Sequence, residues 1–248
     1  MFSFFQKKAF LADYLHGLVD IHNHILPGID DGAKTVDESL ELICEFRDLG
    51  VTNFICTPHI MHNYYPNTRE TITESHAQLV SELERQNVDD VRVNFSAEHM
   101  IDENFESILS DGKVIPLKTE YLLVEMSYLQ PSISFENAIR QIISKAQYYP
   151  ILAHPERYSY FHNRSRIYES LKRQGIYFQL NLLSLAPNVY GKSVQKCTYK
   201  LLEKEMIDFI ASDVHNIRQL RAIKEVQLPN SLLNPVLKVI ENTIQTFY

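Results

Sequence analysis

LVDIHNH (18–24) and MIDFIASDVH (206–215) decide how this chain folds. Each is a short apolar run that ends in two metal-capable residues spaced i, i+2. In an extended strand alternate side chains share a face, so Asp20, His22 and His24 are expected on one side, with Val19 and Ile21 on the other. Asp213 and His215 repeat the spacing behind the second run. Five more β-branched or apolar runs lie between: VTNFICT (51–57), VRVNFSA (91–97), YLLVEM (121–126), PILAH (150–154) and IYFQLNL (176–182). Amphipathic stretches separate or follow them, at 35–49, 68–87, 134–148, 163–174, 192–205, 216–226 and 231–247. Seven strands alternating with helices predict an α/β fold with a parallel sheet. At 248 residues that sheet is expected to close, or nearly close, into a TIM-like barrel forming a single domain. Gly50 and Gly175 stand where helices must stop before the strands at Val51 and Ile176.

Composition narrows the function. With 45% apolar residues the chain can bury a full core without a disulfide or metal staple. A net charge of −7 argues against a basic nucleic-acid-binding surface. Cys44, Cys56 and Cys197 lack C-x-x-C spacing and are expected to be reduced and buried, not paired or zinc-bound. No stretch matches the roughly 18 apolar residues of a membrane span, and charges interrupt MFSFFQKKAF at the start, so a cytoplasmic enzyme is expected. Residues 1–17 read as an extension, with Phe2, Phe4, Phe5 and Phe10 packing on the body formed by residues 18–248.

His59, Glu98, Glu125 and His154 close the second to fifth runs. Barrel enzymes gather their chemistry at the C-terminal ends of the strands, so these four should meet His22, His24, Asp213 and His215 at one mouth. Singly, each has a structural reading: Glu125 as an ion-paired carboxylate, His154 as a core histidine. Together they would bury unpaired charge unless cations held them. Mixed imidazole and carboxylate donors suit Zn, Mn or Fe, not the all-oxygen cage of Ca. Cysteine- and serine-based hydrolase chemistries and the P-loop lack their residues. The position six beyond each cysteine, where a cysteine phosphatase has arginine, holds Gly50, His62 or Glu203, and there is no G-x-S-x-G elbow or P-loop.

DIHNHILPGIDDG (20–32), TPH (57–59), AEH (97–99), LLVEMS (122–127), LAHPERY (152–158) and ASDVHN (211–216) resemble the polymerase-and-histidinol-phosphatase (PHP) superfamily. Within it they look most like the bacterial tyrosine-protein phosphatases of capsular and exopolysaccharide synthesis, the CpsB/YwqE type. The resemblance runs from about residue 18 to about residue 220. It implies a distorted (β/α)7 barrel, the PHP fold, holding three divalent ions, usually manganese or iron, with zinc accepting the same ligands. By position, His22, His24, Glu125 and Asp213 would hold one ion. Asp31, His59, Glu98, His154 and His215 would complete the others, with Glu125 as a bridge. Only the resemblance singles out Asp31, whose own context with Asp30 reads as a polar turn.

The resemblance also assigns Arg157 to the substrate phosphate. A second arginine is expected at Arg218 or Arg221, with Arg221 preferred, and Tyr158 is expected beside the substrate. Tyr64, Tyr65, Tyr160 and Phe161 could rim the same mouth. No ligand role falls to His16, His62, His76, His99 or His162. Four carboxylates and three divalent ions would leave a local charge of about +2, which attracts a phosphate dianion. Water activated by the ions would then attack phosphorus in line, without a covalent phosphoenzyme. The implied substrate is a phosphotyrosine protein, the tail of a bacterial tyrosine kinase. The alternatives are a small-molecule phosphatase such as histidinol phosphate phosphatase, a nucleic-acid phosphodiesterase, which the acidic balance disfavours, and a degenerate scaffold, which the complete ligand set disfavours.

Overall fold

A computed structural model describes residues 9–248. Seven staves form the barrel. The first is β2 (Val19–Asp20), and β1 (Ala9–Phe10) precedes it outside the barrel. The second and third are each broken in two: β3 (Asn53–Cys56) with β4 (His59–Ile60), and β5 (Arg92–Phe95) with β6 (Glu98–Met100). The others are β7 (Tyr121–Glu125), β8 (Tyr149–Ala153), β9 (Tyr177–Asn181) and β10 (Phe209–Ala211). They lie in two parallel sheets, ordered β2-β3-β5 and β10-β9-β8-β7-β6-β4. A parallel bridge between Asn23 and Val214 joins the last stave to the first. The His24 N–H donates to Val214 O at 3.0 Å and the Asp213 N–H to His22 O at 2.7 Å, which carries the ring across the seam. Pro58 has no N–H to give the ladder, so the second stave breaks there and resumes at His59.

The helices follow the periodicity closely: α1 (Val36–Arg47), α2 (Arg69–Arg85), α4 (Phe135–Ser144), α5 (Ser165–Arg173), α6 (Lys192–Glu203), α7 (Ile217–Lys224) and α8 (Asn230–Phe247). A short helix not marked by the sequence pattern, α3 (Phe105–Ser110), intervenes. Thr35 and Asn216 accept from the backbone of Glu38 and Gln219 at the starts of α1 and α7, and Thr68 with Thr71 forms a capping box on α2.

Alternation along the strands sorts two cores. Phe54, Cys56, Leu122, Val124, Leu152, Phe178, Leu180 and Ile210 pack outward under the helices. Val19, Ile21, Ile55, Leu123, Ile151, Phe209 and Phe247 pack together as the barrel filling. Phe178 and Phe209 are each at most 2% exposed, and burying one such ring is worth about 1.5–3 kcal/mol.

Ala9–Phe10 pairs antiparallel with β11 (Gln227–Leu228), and Leu11 and Leu15 are fully buried. The expectation for Phe2, Phe4 and Phe5 lies outside the described residues. All three cysteines are free, but Cys44 is exposed, correcting the expectation that all are buried. Its position on α1 falls off the stripe formed by Leu40, Ile43 and Phe46.

Candidate metal centre

The nine residues expected as ligands meet at the C-terminal mouth. Regular strand structure stops at Asp20, so His22 and His24 reach the mouth from the irregular segment that follows it. Asp20 does not accompany them, which corrects the simple alternation expected from sequence. Its carboxylate accepts from the Ser212 N–H at 2.9 Å and the Ser212 hydroxyl at 2.6 Å, tying the first stave to the last. Burial raises the Asp20 pKa to about 6, against those hydrogen bonds.

His154 and Asp213 sit just past β8 and β10 with φ of 35° and 53°. Neither residue has a glycine's freedom, and a left-handed backbone costs about 1–3 kcal/mol, so two strained positions flank the same mouth. The turn at 30–32 is built around His24. Asp30 Oδ2 lies 2.7 Å from His24 Nδ1, and Asp30 Oδ1 accepts from the Gly32 N–H at 2.8 Å. A Cβ on Gly32 would stand 2.0 Å from His24 O, so only glycine allows this approach.

Glu98 Oε2 lies at the centre, 3.2 Å from His22 Nε2, 3.6 Å from His24 Nε2 and 3.0 Å from His59 Nδ1. Glu125 Oε1 is 3.0 Å from the same His59 nitrogen, so the two glutamates stand side by side at His59. Asp213 Oδ1 is 3.4 Å from both His22 Nε2 and His24 Nε2. Asp31 Oδ1 is 3.4 Å from both His59 Nε2 and His215 Nε2 on the more open side. His154 Nε2 is 3.0 Å from Glu98 Oε1.

Four overlapping groups bring ligand atoms within 4.8 Å of one another: His24, Asp31, His59 and His215; His22, His154 and Asp213; His22, His24 and Glu98; and His59, Glu98 and Glu125. Donors about 2.1 Å from a tetrahedral ion stand about 3.4 Å apart, the spacing seen here.

Unmet polar atoms point the same way. Among the described residues, His22 Nε2, His24 Nε2, His59 Nδ1, His154 Nδ1, Glu98 Oε2 and Glu125 Oε1 are buried without a hydrogen-bond partner. So many orphans in one place would be costly unless cations satisfied them. The surrounding carboxylates favour the protonated imidazoles, as a cation held between them would favour the ligand pairing. Burial works against a charged His24, yet the Asp30 carboxylate raises its pKa to about 10. Burial likewise opposes a charged His59, and Glu125 and Glu98 outweigh it. The donor set therefore fits divalent cations. Histidines fixed through their second nitrogen are the usual arrangement, here His24 by Asp30 and His22 by Gln179 Oε1 at 2.7 Å.

The mouth opens into a cavity of 1390 Å³. Arg157 lines it and donates from Nη1 to Asp213 Oδ2 at 2.8 Å. Two expected substrate residues are not brought there. Arg221 reaches Glu41 and Glu45 at 3.3 and 3.2 Å, because α7 turns that face toward α1. Tyr158 is fully buried, its hydroxyl accepting from the Met126 N–H at 2.9 Å. Tyr64 and Tyr65 line the cavity, whereas Phe161 is buried. Tyr128 and Tyr190 line the cavity in their place, and neither carries a sequence signal that distinguishes it from ordinary loop aromatics. His99 turns away from the mouth, between Leu123 O and the Ile115 N–H.

A model of the family described as capsular polysaccharide synthesis, CpsB/CapC, matches residues 18–226. The chain is 30% identical over 202 residues to tyrosine-protein phosphatase YwqE of Bacillus subtilis (strain 168), covering 81% of this chain and 78% of that protein. A solved structure reported with YwqE of Bacillus subtilis and CpsB of Streptococcus pneumoniae as unique metal-dependent tyrosine phosphatases superposes with a TM-score of 0.79. Its identity is 27%, and the match covers 93% of this chain and 91% of that one. Histidinol phosphate phosphatase from Lactococcus lactis, solved with zinc, L-histidinol and phosphate, gives a TM-score of 0.56 at 15% identity over 88% and 94% of the two chains, a likeness of fold alone.

Proposed function

The chain belongs to the CpsB/CapC family of capsular polysaccharide synthesis, and from that premise we propose that it is a metal-dependent protein-tyrosine phosphatase. The observation that carries the reading is the cluster of nine converging ligands with its orphaned buried donors and acceptors. We assign His22, His24, Asp31, His59, Glu98, Glu125, His154, Asp213 and His215 as the metal ligands and manganese as the ion. When bound, such ions supply an activated water nucleophile and neutralise phosphate charge.

The chain's own residues do the rest. Glu98 and Asp213, each shared among several histidines, fix the spacing of the site. Asp30 and Gln179 hold His24 and His22 so that their Nε2 atoms face the mouth. Arg157 offers its remaining N–H groups to the phosphate oxygens, where charge grows as the ester bond breaks. Asp213 accepts from Arg157 and keeps the guanidinium at the ligand cluster.

A protein substrate suits the mouth. Leu129 and Ile133 are 91% and 101% exposed beside the cavity, and Tyr64 is 76% exposed. A small polar substrate would leave them in water, whereas residues flanking a phosphotyrosine would cover them. The substrate we assign is the phosphotyrosine tail of a bacterial tyrosine kinase, met in the cytoplasm, where the three free thiols stay reduced. Among the described residues no helix is long and apolar enough to cross a membrane.

The test is a comparison of kcat/KM for phosphotyrosine peptide, phosphoserine peptide and histidinol phosphate with the manganese-loaded protein. The phosphotyrosine peptide is expected to lead histidinol phosphate by at least about tenfold, or about 1.4 kcal/mol of transition-state preference. The reverse order would replace the tyrosine-phosphatase reading with a small-molecule one.

A further inference from the structure

Arg157 lies against two aromatic rings. Its guanidinium carbon lies 4.4 Å from the centroid of Tyr128 and 4.2 Å from that of Tyr190. The three residues come from separate loops, after β7, after β8 and before α6, which the neighbouring staves β7, β8 and β9 bring side by side. The edge of the guanidinium is partly spoken for, since Nη1 donates to Asp213 Oδ2 at 2.8 Å. The Arg157 side chain is 21% exposed and lines the same cavity as the metal ligands.

Both clamping rings are themselves anchored. The Tyr128 hydroxyl lies 3.2 Å from His154 Nε2, and its ring sits 5.9 Å from the buried ring of Tyr158. Tyr190 is half-buried, and the element that follows it, α6, packs Val194 and Cys197 into the core.

From this geometry we infer that Tyr128 and Tyr190 are positioning residues that hold the Arg157 guanidinium edge-on to the substrate phosphate. An arginine side chain in water samples many rotamers, and the part of its binding energy spent on ordering is lost to the substrate. The guanidinium lies over both rings, which restricts its swing, and its N–H groups, in the plane by their own geometry, keep one direction. An edge-on guanidinium can meet two phosphate oxygens at once. The rings also displace water where they touch the guanidinium, which strengthens attraction to an incoming dianion. The inference rests on the proposed role of Arg157 at the phosphate.

The test uses the full-length, manganese-loaded protein, with Tyr190→Phe and Tyr190→Leu made in both wild-type and Arg157→Ala backgrounds. Phe keeps the aromatic face, and Leu fills much of the space without it. Two readouts are taken: kcat and KM on a phosphotyrosine peptide, and the inhibition constant of inorganic phosphate against a generic aryl phosphate. Manganese content and circular dichroism accompany each variant. Tyr190→Leu is expected to lower kcat/KM and weaken phosphate inhibition about tenfold each, while Tyr190→Phe stays within about threefold of wild type. In the Arg157→Ala background the same two changes should differ by less than about twofold, because the group they position is gone.

Equal losses in Phe and Leu, or a Leu loss that persists undiminished without Arg157, would overturn the clamp. So would a Leu effect that follows lost manganese or lost fold. A protein that turns over aryl phosphate but not phosphotyrosine peptide would sink the tyrosine-phosphatase reading, and the phosphate inhibition constants would still decide the clamp.

Discussion

Asp30→Asn removes one negative charge and one acceptor from the turn that supports His24, without replacing any assigned ligand. Asp30 is 6% exposed and accepts at both oxygens: Oδ2 is 2.7 Å from His24 Nδ1 and accepts from the His59 N–H at 3.2 Å, while Oδ1 accepts from the Gly32 N–H at 2.8 Å. Asparagine keeps one oxygen and places an NH2 at the other corner. Whichever way it turns, a donor then faces a donor in a buried site, at a cost of about 1–3 kcal/mol. The constraint that leaves His24 Nε2 free for a cation weakens at the same time. Loss of such an outer partner typically costs 10- to 100-fold in metal affinity, or about 1.4–2.7 kcal/mol, in line with the hydrogen-bond figure. Calorimetric titration of the metal-free variant with Mn2+ should show this weakening, with kcat at saturating Mn2+ falling much less than the affinity. Wild-type Mn2+ affinity in Asp30→Asn would refute the claim that this turn tunes the centre through His24.

Two further outcomes follow from other parts of the molecule. Burial depresses the His99 pKa from 6.5 to about 4, so the folded state takes up fewer protons than the unfolded chain between those values. The stability this represents, about 3 kcal/mol, is present above about pH 6.5 and lost as pH falls toward 4, and a cation held at Glu98 pushes the same way. Urea titrations over that range should show a shallower acid limb in His99→Gln than in wild type, and parallel limbs would count against it. At the mouth, the double change Leu129→Ser with Ile133→Ser should leave aryl phosphate hydrolysis within about twofold while lowering kcat/KM for a phosphotyrosine peptide about tenfold. Parallel losses on both substrates would show that the two side chains serve the loop and not the peptide.

The barrel was legible because its strands and helices keep their periods: the runs at 121–126 and 176–182 enclose Tyr121–Glu125 and Tyr177–Asn181. The broken staves were less so. Pro58 marks one break, but nothing in VRVNFSAEHM announces that β5 ends at Phe95 and β6 begins at Glu98. His22 and His24 were found by a strand rule that does not hold locally, since the regular strand ends at Asp20 and Asp20 turns to Ser212. The convergence survived because the seam with Val214 fixes that segment instead. Residues that support the ligands from behind, Asp30 and Gln179, left no mark in the sequence, because their role depends on a partner's free nitrogen. Arg221 was misplaced for a similar reason: position along the chain says nothing of which way a helix face turns, and Glu41 and Glu45 claim it. The contacts of Tyr128 and Tyr190 with Arg157 join loops far apart in sequence, which no local pattern announces.

Hydrolysis of a phosphotyrosine peptide by the metal-depleted protein, followed as Mn2+ is added back and bound metal is counted, tests the central claim most directly. The structure predicts negligible turnover without metal and activity that rises with occupancy of the cluster, while alkylation of the free thiols leaves it intact. Undiminished turnover in protein stripped of metal would contradict the account, because the nine converging side chains would then have to serve some end other than the chemistry.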